Sequence, residues 1–108
     1  MIDQKYQKLL DTLHICMTKC NHCFNACLKE ENVDMMTKCI QLDRECAEIC
    51  SYLEGAITRN SPFIKQLAAV CAEICQTCGE ECNRHHHDHC QRCADACFHC
   101  AKACREVS

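Results

Sequence analysis

The sequence predicts an all-α fold, an antiparallel up-down-up-down four-helix bundle with a cysteine-lined core. Three observations carry this expectation. Two glycines and one proline are all that interrupt 108 residues, and helix formers dominate the remainder. No alternating apolar–polar run extends beyond a few residues, so the period-2 mark of a half-buried strand is missing. Sixteen cysteines recur at steps of three and four, the spacing that keeps side chains on one face of a helix. By length the chain is expected to form a single domain, 1–108.

The elements follow in order. A first helix is expected over residues 3–29, with Asp3 as its N-cap. A second is expected over 32–58, after Glu30 and Glu31, with Asn32 as cap. Ser61-Pro62 reads as a cap followed by proline at the first helical position, where its missing N–H costs nothing. It opens a third helix over 62–84. The fourth covers 88–105, with Asp88 as cap and Gln91 three residues on as its capping-box partner. Connections of two to four residues favour antiparallel neighbours. The alternative is a pair of helical hairpins that associate only through a partner chain.

Composition narrows the function. A formal charge of −3 gives no electrostatic case for nucleic acid or an anionic membrane. No segment approaches the ~18 apolar residues of a membrane span. The opening MIDQKYQKLLDTLH has no apolar signal core, twin arginine or small-residue cleavage site, so a cytoplasmic location is expected. There thiols stay reduced, and dense cysteine points to metal rather than to a disulfide scaffold. The 48% hydrophobic fraction counts the cysteines. Without them about a third of the chain is apolar, thin for an ordinary core, so cysteine must stand where leucine and valine usually stand.

The cysteine spacing is the strongest signal. Cys16, Cys20, Cys23 and Cys27 are 4, 3 and 4 apart, and Cys71, Cys75, Cys78 and Cys82 repeat the pattern. Cys90, Cys93, Cys97, Cys100 and Cys104 run 3, 4, 3, 4, while Cys39, Cys46 and Cys50 run 7 and 4. Each set falls within a stripe roughly 40–80° wide, the face that a bundle helix turns to its core. All sixteen thiols are therefore expected to point inward. A core filled with cysteine as a small hydrophobe would pack poorly. Cysteines three or four apart on one helix suit the disulfide torsion badly. The C-x-x-C pairs lie inside helices, away from the N-terminus that would stabilise a thiolate, which weakens a thiol-redox reading. No glycine-rich phosphate loop or nucleophile–base–orienter set is present, so no enzyme is expected.

Thiolates select Cu(I), zinc or iron–sulfur clusters. The familiar iron–sulfur run is absent. Four isolated Zn(Cys)₄ sites would leave a charge on the order of −8 inside the bundle, and each buried uncompensated ion costs several kcal/mol. Cu(I) carries a single charge and shares bridging thiolates, so about one ion per cysteine gives a neutral column. Copper is the ion this interior fits; a zinc or general thiolate-metal buffer is the alternative. His86, His87 and His89 lie where the third and fourth stripes meet, and are expected to form a mouth that passes Cu(I) to the first cysteines. The opposite end, with Leu9, Leu13, Leu53, Ile57, Phe63 and Leu67, reads as an apolar plug. His14, His22 and His99 fall off the stripes. Met35 or Met36 could offer a thioether, with core packing favoured. Asp43 lies near the second stripe, and its hard carboxylate suits Cu(I) poorly.

The stretches HICMTKCNHCFNACLKE, CIQLDRECAEICSYLEGA, NSPF, CAEICQTCGEEC and HHHDHCQRCADACFHCAKAC resemble the cytosolic branch of the bacterial copper storage proteins over essentially the whole chain. The resemblance implies a four-helix bundle whose inward cysteines hold many Cu(I) ions, assembled as a homotetramer. It carries the core role onto the sixteen cysteines above and the mouth onto His87 and His89. Copper donor or acceptor proteins are the implied partners. The second helix holds three cysteines, and the cysteine count varies in the family, so the resemblance does not set the capacity.

Overall fold

The computed structural model describes residues 3–108, apart from the side chain of Lys5. Among the described residues there are four α-helices: α1 Gln4–Cys27, α2 Thr37–Thr58, α3 Ile64–Asn83 and α4 Asp88–Val107. A single 3₁₀ turn, Val33–Met36, leads into α2. Each helix packs on two neighbours, α1 and α3 both lying against α2 and α4. The bundle is elongated, 46 × 19 × 18 Å.

Sulfur pairs give the register directly. From α1 to α4 the pairs Cys16–Cys97, Cys20–Cys93 and Cys23–Cys90 step in opposite directions. From α2 to α3 the pairs Cys39–Cys82, Cys46–Cys75 and Cys50–Cys71 do the same. These neighbours are antiparallel, although the α1–α2 connection (28–36) and the α2–α3 connection (59–63) are longer than the two to four residues expected.

The helix ends depart from the expectations in instructive ways. Asp3 does stand at the start of α1, its carbonyl accepting from the Gln7 N–H at 3.0 Å. α1 stops at Cys27, and the chain tightens into turns closed by Lys29 N–H to Ala26 O and Glu30 N–H to Cys27 O. Two consecutive glutamates beyond that point would face the negative end of the helix dipole. The Asn32 side chain does not cap a helix; its carbonyl opens the 3₁₀ turn by accepting from Met35 N–H at 2.9 Å.

α2 ends in a Schellman motif, with Ser61 N–H on Ala56 O at 2.8 Å and Asn60 N–H on Ile57 O at 3.1 Å. Asn60 takes the left-handed position, φ 55°, which asparagine tolerates better than most residues. This motif delays α3 to Ile64. Pro62 therefore stays in the turn, and the Ser61 hydroxyl accepts from Phe63 N–H at 3.1 Å. His87, with extended backbone, precedes α4 in place of Asp88. The Gln91 amide makes no capping box; it donates to His85 O at 2.6 Å and Asn83 O at 3.3 Å, satisfying the carbonyls that α3 leaves open.

Along the axis the core is cysteine, with every thiol buried. Beyond the thiols, where α1 begins, Leu9, Leu13, Leu53, Ile57, Ile64 and Val107 are buried together. Burying each large aliphatic side chain contributes about 1.5–3 kcal/mol, so this plug anchors a core that is otherwise lined with small side chains. Phe63 was expected in the plug and is instead 61% exposed, because α3 starts two residues later than expected and turns Ile64 inward. Leu67 is half-buried against the core. In the middle, Gly79 lets α3 approach the Phe98 ring; a Cβ there would lie 2.7 Å from it.

Candidate metal-binding core

The 3.6-residue period brings the four stripes onto one axis, and their sulfurs form a continuous column. Nearest from the α1–α2 turn inward are Cys23, Cys27, Cys39 and Cys90. Deeper groups are Cys20, Cys78, Cys93 and Cys97, then Cys16, Cys20, Cys46 and Cys97. Further down are Cys16, Cys46, Cys50 and Cys75, then Cys50, Cys71, Cys75 and Cys100. Within each group all sulfurs lie within 4.8 Å of one another. Two sulfurs on one ion at about 2.3 Å stand at most about 4.6 Å apart, so small rotamer changes suffice to close each group on a metal. Groups overlap: Cys16, Cys20, Cys46, Cys50, Cys75 and Cys97 each belong to two.

Every one of the sixteen cysteines is a free, buried thiol. Cys39 and Cys82 approach to 3.4 Å, far beyond the ~2.05 Å of a disulfide bond. Cys82 also lies 4.0 Å from Cys78, and Cys104 occupies the deep end beside Cys100 and Cys71. Burial, then the neighbouring Cys39, pushes the Cys27 thiol up to about 12. Thiols this crowded cannot ionise together without a cation among them, so metal binding must release protons.

Asp43 is a member of the column. It is fully buried, and its carboxyl lies 3.3 Å from Cys82, 3.4 Å from Cys93, 3.5 Å from Cys78 and 3.8 Å from Cys39. Burial, then the adjacent Cys93 and Cys39, raises it to about 9. The sequence signal for it was present. Cys39, Asp43, Cys46 and Cys50 are 4, 3 and 4 apart, so the carboxyl fills the cysteine slot missing from α2.

The histidines separate. His89 is 13% exposed and joins the outermost group, its Nδ1 3.3 Å from Cys23 Sγ and 3.5 Å from Cys90 Sγ. His87 is stacked on it, ring centroids 5.3 Å apart. Both face the Glu30 carboxylate of the α1–α2 turn, a residue the sequence reading passed over although it continues the α1 stripe three positions past Cys27. His86 is exposed. The helical step from Cys82 cannot carry it inward, because α3 ends at Asn83 and the intervening turn breaks the period. His85 turns to the buried Glu81, Nε2 to Oε2 2.8 Å, and Arg84 closes on the other oxygen at 3.6 Å. His14, His22 and His99 are exposed, as expected. Met36 is buried at the start of α2, whereas Met35 is 72% exposed.

A four-helix bundle with overlapping tetrathiol groups on its axis defines a class: a multinuclear metal–thiolate container. Residues 2–108 match the family model described as copper storage protein, and the chain belongs to that family. It is 47% identical over 93 residues to the cysteine-rich protein YhjQ of Bacillus subtilis, covering 86% of each chain. It superposes on a Cu(I)-bound copper storage protein, BsCsp3, with TM-score 0.93 at 48% identity, covering 96% of this chain and 98% of that one. A cytosolic copper storage protein of Streptomyces lividans loaded with five coppers matches with TM-score 0.93 at 34% identity, covering 96% and 92%. No helix among the described residues is long and apolar enough to cross a membrane.

Proposed function

We propose that the chain stores and sequesters Cu(I) in the cytoplasm, binding many ions along its thiol column and catalysing no reaction. The observation that carries this reading is a run of four tetrathiol groups along the axis, each sharing sulfurs with the next, with a fifth at the polar end. Overlap lets one thiolate bridge two ions, so the number of cations approaches the number of sulfurs and their charges cancel. Each Cu(I) that enters replaces about one thiol proton, and the interior stays neutral. Zinc fits a single group, but its second charge and full tetrahedral demand do not repeat along shared sulfurs without leaving net charge. The sixteen cysteines are the ligands in this reading, with His87 and His89 forming the mouth. The copper-loaded relatives support the same cargo, and the cytosolic relative supports the location. A homotetramer is the assembly expected of the cytosolic branch.

An anaerobic titration of reduced, metal-free protein with Cu(I) against a competing chelator tests this, with metal content determined independently. Uptake on the order of one ion per cysteine is expected. Saturation at one or two ions would instead describe a chaperone or sensor. Sedimentation of apo and loaded protein tests the tetramer.

A further inference from the structure

Glu30 lies in the turn after α1, outside the column of thiols, yet its carboxylate reaches both imidazoles at the polar end. Oε2 is 2.8 Å from His89 Nε2 and 3.4 Å from His87 Nδ1. The two rings lie parallel within 5°. An ionised carboxylate accepts hydrogen bonds and donates none. Of the two contacts only that of His89 has hydrogen-bond geometry, so the proton of a neutral His89 ring belongs on Nε2. His89 then turns a bare Nδ1 to sulfur, 3.3 Å from Cys23, 3.5 Å from Cys90 and 4.0 Å from Cys27. His87, one-third exposed, stays beside the same carboxylate without a hydrogen bond to it.

We propose that Glu30 is the positioning residue of the mouth. It fixes His89 as an Nδ1 ligand for Cu(I) at the outermost thiolate group, with the His87 ring stacked against it. This rests on the storage reading above. The opposite tautomer of His89 would aim an N–H at Cys23 and Cys90, and that proton would have to leave before a metal could bind. A carboxylate on the far ring nitrogen also raises the basicity of the ligating one, the usual arrangement behind metal-bound histidine. Because Glu30 comes from the α1–α2 turn and His89 from the first turn of α4, the contact also ties the two connections of this end together.

Long-range ¹H–¹⁵N NMR of metal-free protein reads the tautomer of each ring. Wild type is expected to carry its proton on Nε2 in His89, with no measurable share of the Nδ1–H form. In E30A the His89 ring should relax toward the free tautomer mixture. Transfer of the first Cu(I) equivalents from a chelated donor should fall by about 10- to 100-fold, with helicity and total capacity unchanged. E30Q, whose amide oxygen still accepts one bond, should retain more of both signals. A wild-type His89 protonated on Nδ1, or an E30A protein with an unchanged His89 ring and unchanged uptake, overturns the role of Glu30. Wild-type saturation at one or two ions overturns storage but leaves the ring assignment readable, so the two failures are distinct.

Discussion

Where α1 begins, Leu9, Leu13, Leu53, Ile57, Ile64 and Val107 close over the last thiols; where α1 finishes, the last thiols meet His89 and Glu30. The two ends use different physics. The first removes aliphatic surface from water. The second places carboxylates and imidazoles at the edge of the core, each held by a named partner. On the storage reading proposed above, folding strength and metal exchange would sit at opposite ends of a 46 Å rod.

The strongest test of that separation is Leu13→Ala. It should cost the metal-free protein about 2–5 kcal/mol in urea unfolding, while the number of Cu(I) ions bound by folded protein stays the same. A capacity that falls in step with stability would mean the plug and the column are one unit.

A smaller effect comes from the middle. Asp43 keeps its proton in the folded state up to about 9, whereas an unfolded aspartate loses it near 4. Between those values the unfolded chain holds fewer protons at this site, so apo stability should fall as pH rises, by at most about 1.4 kcal/mol per pH unit. Asp43→Asn should flatten that slope across the window below thiol ionisation, as read by urea midpoints of reduced protein at a series of pH values. A slope that persists in the variant places its source elsewhere.

The smallest expected effect sharpens the polar end. His86 is exposed, so His86→Ala should change stability by less than about 0.5 kcal/mol. It should also leave the rate of Cu(I) uptake in stopped-flow mixing unchanged. A slowing like that expected of the Glu30 variant would bring His86 into the mouth.

The fold was legible in the cysteines because 4-3-4 spacing is both a helix signature and a burial signature. The plug was legible for the same reason, except at Phe63, where the Schellman motif around Asn60 postponed α3 and changed which residue faced inward. Caps were the weakest inference. Asn32, Pro62 and Asp88 were each placed by local preference, and each yielded to a turn closed by other backbone groups. Asp43 was visible in the spacing but was set aside on ligand hardness, a criterion that ignores how a protonated carboxyl can accept from thiols. Glu30 was hidden by its position beyond a helix end, where it acts across the bundle on residues 57 and 59 positions away. Periodicity does not reach across a turn, so His86 was drawn inward and Glu30 was left out.

The aliphatic plug also governs history. On the storage reading, with the plug at one end, an ion near Cys71 and Cys100 would leave past those nearer His89, so copper acquired last would be released first.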